Sequence, residues 1–522
     1  MDFIIRDCLI LDGTGAEPVR GDVAVRGDTI AAVGRITETA PVTIDAEGRA
    51  LAPGFIDAHG HTDDTALVMP NLDSKILQGV TTEFCGQCGV SAAPLTPDMA
   101  ARTEKRLGPG DTPLPWRTLG EFFDVLEQRG IGVNIASQVG QGNLRGLVVG
   151  YDNRPATDDE QARMADLAAQ ALREGACGLS TGLIYVPSAY ADTEELVAVC
   201  RPLAELGGVY TTHMRDEGDR LLEAVTETIA IGRGAGVPVH IAHHKAIHQR
   251  NWGKVKESLA LIDAARAEGI AVTADVYPYL ATATGLSASL PDWAREGGRE
   301  VIRGRLADPA TRARMVADLP PPEADIWDAR HLVGFSLAKN QPGEGQSVRE
   351  IATARGQVPA QAMVELLHEE DGDVGQITFG MCEEDVETVL RHPMVMIGSD
   401  AEARTFSGPL ATGKPHPRAF GTFPRVLGRY ARERGVLTLP EAIRRMTSLP
   451  AATFGFRDRG LLQVGKKADL VLFDPATIID CATFADPRQA PAGIDSVWVN
   501  GVIAVERGKI TGRRGGRALR RS

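Results

Sequence analysis

The sequence predicts an α/β fold: a (β/α)8 TIM barrel with a small β-sandwich domain formed by both chain ends. Three observations predict it. Through the middle of the chain, short apolar runs alternate with helical stretches, the signature of a parallel sheet. Eight such runs can be picked out, the number a closed barrel needs. Both ends carry short β segments instead, and neither set is long enough for a core of its own. At 522 residues the chain has room for one large barrel and a smaller partner, or for three ordinary domains.

From the N-terminus, Asp22-Val23-Ala24-Val25-Arg26 and Thr29-Ile30-Ala31-Ala32-Val33 alternate like half-buried strands, with turns at Asp12–Gly15 and Arg26–Asp28. Matching material returns at Lys467–Asp474 and Ser496–Val502, so residues 1–54 and 455–522 are expected to share one β-sandwich. The barrel is expected over 55–454. Its strands fall at Asp57–His61, Thr81–Cys88, Asn134–Gly140, Gly178–Gly182, Tyr210–His213, His240–Lys245, Ala274–Tyr279 and Met396–Asp400. Helix-like segments such as Asp158–Glu174, Arg220–Ala235 and Lys254–Glu268 lie between them. The seventh and eighth strands are separated by about 115 residues, far more than a normal connection. An inserted lid or subdomain is expected there, at about 281–393. The basic tail from Arg513 to Arg521 reads as a solvated end.

Composition sets limits on partners. An apolar content of 43% and a charged content of 24% are those of a soluble globular protein. A net charge of −13 argues against nucleic acid or an acidic membrane as partner, and leaves the substrate open. No apolar run approaches a membrane span, and Met1–Arg6 lacks the marks of a signal peptide, so a cytoplasmic location is expected. Seven cysteines, scattered from Cys8 to Cys481, make no disulfide framework. Cys85 and Cys88 form a CxxC, but no second CxxC exists to complete a four-cysteine zinc site.

The chemistry gathers at the strand ends, where barrel active sites lie. His59 and His61, spaced i, i+2, project from one face of a strand and can share a metal ion. Cys88 follows the second run, His213 ends the fifth, His240-Ile241-Ala242-His243-His244-Lys245 closes the sixth and Asp400 ends the eighth. Each residue alone is explained by packing or a hydrogen bond. Their joint placement at strand ends points to a hydrolytic metal site.

On these residues the chain resembles the amidohydrolase superfamily, and within it the N-acyl-D-amino-acid deacylase (D-aminoacylase) family. The resemblance runs over almost the whole chain, through Gly21–Gly34, Gly178–Leu183 and, most specifically, His416–Tyr430. It implies zinc-dependent hydrolysis of the amide bond of small N-acyl-D-amino acids. It further implies that Cys88, His213 and His243 hold a tight zinc, and that His59 and His61, bridged by Cys88, form a second, weaker site. Asp400 matches the general acid/base; Lys245, Tyr277 and Arg418 match the groups that hold the substrate carboxylate.

Several of these assignments have a physical basis. His243 and Lys245 share strand parity, so His244 points away and is the runner-up ligand. Cys85 reads as packing. The Arg418 fork suits a carboxylate. Gln141, Ala283 and Ala401 depart from the family pattern near the substrate, leaving the preferred side chain and acyl group open. Whether the chain forms a homo-oligomer is open as well. Two rival readings stand beside this one. A hydantoinase- or dihydroorotase-like cyclic-amide hydrolase would bridge its metals with a lysine, and Gly175–Pro187 has none. A non-catalytic barrel scaffold would have lost such residues, and His59, His61, Cys88, His213, His243 and Asp400 are all present.

Overall fold

The computed structural model describes residues 1–107, 114–408 and 410–521. Eight strands form the barrel: Phe55–Asp57, Val80–Cys85, Asn134–Ser137 (continuing as Val139–Gly140), Gly178–Gly182, Val209–His213, Val239–Ile241, Val272–Val276 and Val395–Ile397. They are short and buried along their length, as parallel strands covered on both faces must be. The first three pair in parallel, and so do the last six counting from Val139. The third strand joins the two groups, because its first half pairs with the second strand and its second half with the fourth. Between the eighth and first strands, Ala58 N–H donates to Ile397 O at 3.2 Å and Asp400 N–H to His59 O at 2.8 Å, which closes the ring. The expected barrel is present.

Helices on the outside begin and end where their sequences dictate. Asp158–Arg173 starts at Thr157, whose hydroxyl accepts from Glu160 N–H while the Glu160 carboxylate takes the Thr157 N–H at 2.8 Å. Acidic residues fill its first turn and Arg173 its last, in keeping with the helix dipole. The barrel's interior is filled at one end. Phe84 packs on Phe454 and Phe456 at ring distances of 4.3 and 5.4 Å, in one cluster with Ile56, Ala136, Val209 and Met396 from other strands. Any catalytic opening must therefore lie at the other end, where the strands deliver their C-terminal residues.

Both chain ends contribute to one nine-stranded sheet, in which Ala50–Pro53 pairs with Leu470–Phe473. That sheet folds over on itself. Phe3 and Trp498 stand three strands apart in it, about 14 Å at normal strand spacing, yet their rings stack at 5.8 Å. Between them lies a separate core that includes Ile5, Val23, Leu470 and Leu472.

After the seventh strand the chain leaves the barrel. Ala281–Gly285, Gly375–Phe379 and Arg330–Val333 form a small antiparallel sheet with the second of these at its centre. Helices between them close a core of its own around Trp327, Met363 and Leu367. The next helix, Glu383–Arg391, returns to the barrel and packs on Val255–Ala267. No helix among the described residues is long and apolar enough to cross a membrane.

Candidate metal centre

Cys88 is the hub. Its Sγ lies 3.4 Å from His59 Nε2, 3.6 Å from His243 Nε2 and 3.7 Å from His213 Nδ1. A tetrahedral zinc with ordinary Zn–S and Zn–N bonds would hold sulfur and nitrogen about 3.6 Å apart. The donor set therefore fits zinc in both chemistry and spacing. Two overlapping groups share this sulfur: Cys88, His213 and His243 in one, and His59, His61, Cys88 and Asp400 in the other. His213 ends the fifth strand, and the others lie in the turns just after the first, second, sixth and eighth strands.

The loop that presents the thiol is specified locally. Cys88 adopts φ 54° and Gly86 φ 71°. Gly86 is required, since a Cβ there would sit 2.1 Å from Gln138 O. The Ser180 hydroxyl ties the loop down, donating to Gly86 O at 2.5 Å and accepting from Gly89 N–H at 3.1 Å. Burial, aided by Asp400, Asp275 and Glu217, pushes the Cys88 thiol well above its ordinary pKa. A divalent cation reverses that balance, because a coordinating thiol gives up its proton.

His59 and His243 are each turned by a second nitrogen. His59 Nδ1 meets Asp275 Oδ2 at 3.2 Å, leaving Nε2 for the sulfur side. Asp275 also meets His240 Nε2 at 2.8 Å and accepts from His243 N–H at 3.0 Å. His243 Nδ1 lies 2.9 Å from Glu217 Oε1, and His213 Nε2 lies 3.8 Å from Glu217 Oε2. Carboxylates behind ligating histidines fix the tautomer and raise basicity. Burial drives the His213 pKa well below its usual value, which keeps the neutral, ligating imidazole. At Glu217 burial acts to raise the pKa, but Lys245, His243 and His213 outweigh it and hold the carboxylate below its usual range.

Asp400 stands beside this cluster, with Oδ1 3.1 Å from His61 Nε2 and 3.6 Å from His59 Nε2. Its Oδ2 lies 2.8 Å from Arg418 Nη1. Burial alone would raise its pKa; Arg418, His243, His61 and His59 override burial and hold it well below the carboxylate range. Tyr277 lies under two cations, with Lys245 Nζ 5.6 Å and Arg418 Cζ 4.7 Å from its ring centre. Its buried hydroxyl has no hydrogen-bond partner among the described residues. Lys245 meanwhile rests on Glu217 at 2.5 Å. The inserted sheet reaches the same place: Ala283 O accepts from Arg418 Nη2 at 3.2 Å, and Thr284 Oγ1 lies 2.8 Å from the Tyr185 hydroxyl.

All nine residues singled out in the sequence thus lie in one connected group. His244 does not join it, since its Nε2 turns to Ser258 Oγ at 2.8 Å on an outer helix. Cys85 lies in the apolar core. Gln141 is engaged with Ser188 and Glu195. Sequence reasoning missed Glu217 and Asp275. The signal for Glu217 was its place four residues after His213, and for Asp275 its shared parity with Tyr277 on the seventh strand.

Comparison with known proteins fits this arrangement. The amidohydrolase family profile matches residues 42–505. A D-aminoacylase of Alcaligenes xylosoxydans xylosoxydans is 40% identical over 522 residues, covering 100% of this chain and 98% of that one. A solved D-aminoacylase, described as having a binuclear metal centre with one-metal activation and second-metal attenuation, superposes with a TM-score of 0.84 at 40% identity, with 100% of each chain covered. An N-acyl-D-glutamate deacylase from Bordetella bronchiseptica, solved with zinc and a phosphonate mimic of the tetrahedral intermediate, gives a TM-score of 0.84 at 37% identity, covering 100% of this chain and 99% of that one. Matched along nearly its whole length and similar end to end to these enzymes, the chain belongs to the amidohydrolase family.

Proposed function

We propose that this protein is a zinc-dependent deacylase that hydrolyses the amide bond of N-acyl-D-amino acids, giving a carboxylate and a free D-amino acid. The observation that carries the reading is the Cys88 sulfur, set within 3.7 Å of three histidines. Similarity to a D-aminoacylase and an N-acyl-D-glutamate deacylase supports the substrate class and the handedness. Cys88, His213 and His243 would hold the tight metal, and His59 and His61 with Cys88 would form the weaker second site.

Bound zinc supplies a Lewis acid that polarises the scissile carbonyl and makes the attacking water acidic. Asp400, the carboxylate grouped with His59, His61 and Cys88, takes a proton from the attacking water and returns it to the departing amine. Lys245, Arg418 and the unpartnered Tyr277 hydroxyl receive the substrate's free carboxylate. Both cations are buried and held in place by acidic partners, Glu217 and Asp400, with which an entering carboxylate shares them. The inserted sheet acts as a lid, with Thr284 and Ala283 reaching the site's edge.

A chiral panel of N-acetyl amino acids, apolar, acidic and basic in both enantiomers, tests the reading when assayed with and without added zinc. Zinc-dependent release of the D-amino acid from at least one member is expected, with kcat/KM down about 100-fold or more when the free carboxylate is replaced by a carboxamide. Turnover of a hydantoin with none on the panel would replace the reading by a cyclic-amide hydrolase.

Glu217→Gln should weaken zinc binding about 10–100-fold, read by competition against a chelator, because it removes the charge shared by both tight-site histidines. Unchanged zinc affinity would show that Glu217 only pairs with Lys245.

A further inference from the structure

Beneath the cluster lies a wholly buried ionic group built on Lys75. Its Nζ lies 2.7 Å from Asp57 Oδ2 and 3.2 Å from Glu83 Oε1, and none of the three side chains is exposed. The same nitrogen donates to Ser399 Oγ at 2.9 Å and to Ala401 O at 2.8 Å. Those two residues flank Asp400. Asp57 completes the clamp. Its Oδ1 accepts from Ser399 N–H at 2.8 Å and from His59 N–H at 3.2 Å, and its Oδ2 accepts from the Ser399 hydroxyl at 2.5 Å. One ammonium thereby ties the end of the first strand to the turn after the eighth.

A buried ion group of this kind is poor value for stability, since well-packed apolar side chains generally serve as well. What it adjoins is more telling. Asp400 has φ 49°, a left-handed conformation that non-glycine residues seldom adopt. Such a backbone persists only where its surroundings over-determine it. Here the restraints are the Asp400 N–H bond to His59 O at 2.8 Å and the Lys75 bonds to both flanking residues. Although burial opposes charge at Lys75, Asp57 and Glu83 hold its ammonium above the ordinary lysine range, so the clamp stays protonated.

We propose that Lys75 is a positioning residue: by gripping Ser399 and Ala401 it holds Asp400 in the left-handed turn that aims its carboxylate at the metal cluster. Its own polar contacts include no member of that cluster. The inference rests on Asp400 being the proton-transferring group of the proposed hydrolysis.

Two variants of the zinc-loaded enzyme test it. Ser399→Ala removes the hydroxyl that bonds both Lys75 and Asp57 and leaves the ion pairs intact, and Lys75→Met removes both Lys75 arms, to Ser399 and to Ala401. Ser399→Ala should lower kcat about 10-fold, with KM and zinc content retained, since small misplacements of a catalytic group are costly. Lys75→Met should lower it about 100-fold. A crystal structure of Ser399→Ala should show the Asp400 carboxylate displaced from His61. A lower melting temperature in both variants with unchanged kcat per zinc-loaded site, or an Asp400 unmoved in the crystal, would overturn the proposal. Wild-type protein inactive on the whole substrate panel would sink the proposed hydrolysis instead, while the crystal structure would still report whether the clamp sets the turn.

Discussion

Asp400→Asn is expected to lower kcat by about three orders of magnitude, within the span seen when a general acid/base is removed. The substitution keeps the size of the side chain and one acceptor oxygen, so the left-handed turn and the Lys75 clamp should persist. It removes a carboxylate that lies within 3.6 Å of both His59 and His61. Arg418 loses its 2.8 Å counter-ion at the same time and becomes freer to bind the substrate carboxylate. KM should therefore stay level or fall while kcat collapses. Zinc content should hold, because the Cys88, His213 and His243 group does not include Asp400. Steady-state kinetics with metal analysis on the same preparation decides the matter. Near-normal turnover would show that Asp400 is not the base.

Cys88→Ala should be at least as damaging by a different route. The sulfur belongs to both candidate sites, so its loss removes a ligand from each at once. A three-donor tight site becomes a pair of imidazoles, and the anionic charge that a thiolate brings to the metal is gone. Purified protein should carry well under one zinc per chain, with activity down about 1000-fold or more at micromolar zinc. The melting temperature should lose its dependence on added zinc, since stabilisation by a ligand follows its affinity. Full zinc occupancy with near-normal kinetics in this variant would remove Cys88 from the centre of the account.

The barrel was legible because eight short apolar runs alternate with helical stretches, a local pattern that survives without knowledge of neighbours. A β-sandwich shared by both chain ends was expected from similar strand-like material at Asp22–Arg26 and Lys467–Asp474, and the structure builds it from one sheet that folds until Phe3 meets Trp498. The side chains of His59, His61, Cys88, His213, His243 and Asp400 could be placed together because metal-binding residue types recur at strand ends. The groups behind them were harder to see. Glu217 sits in a loop, where strand parity says nothing about direction. Lys75, in the polar-looking run Asn71-Leu72-Asp73-Ser74-Lys75, reads as a solvated lysine. Only its placement under Asp57 and Glu83 reveals it as a buried charge. Long-range electrostatic partners leave no periodicity in a sequence, and that is the part a single chain conceals.

The most direct examination of the whole account is the zinc K-edge absorption spectrum of the wild-type protein loaded with one zinc per chain. Residue 88 at the hub predicts a first shell containing one sulfur at about 2.3 Å with nitrogen near about 2.0–2.1 Å, and loss of the sulfur component in Cys88→Ala. A wild-type shell made of nitrogen and oxygen alone would contradict it.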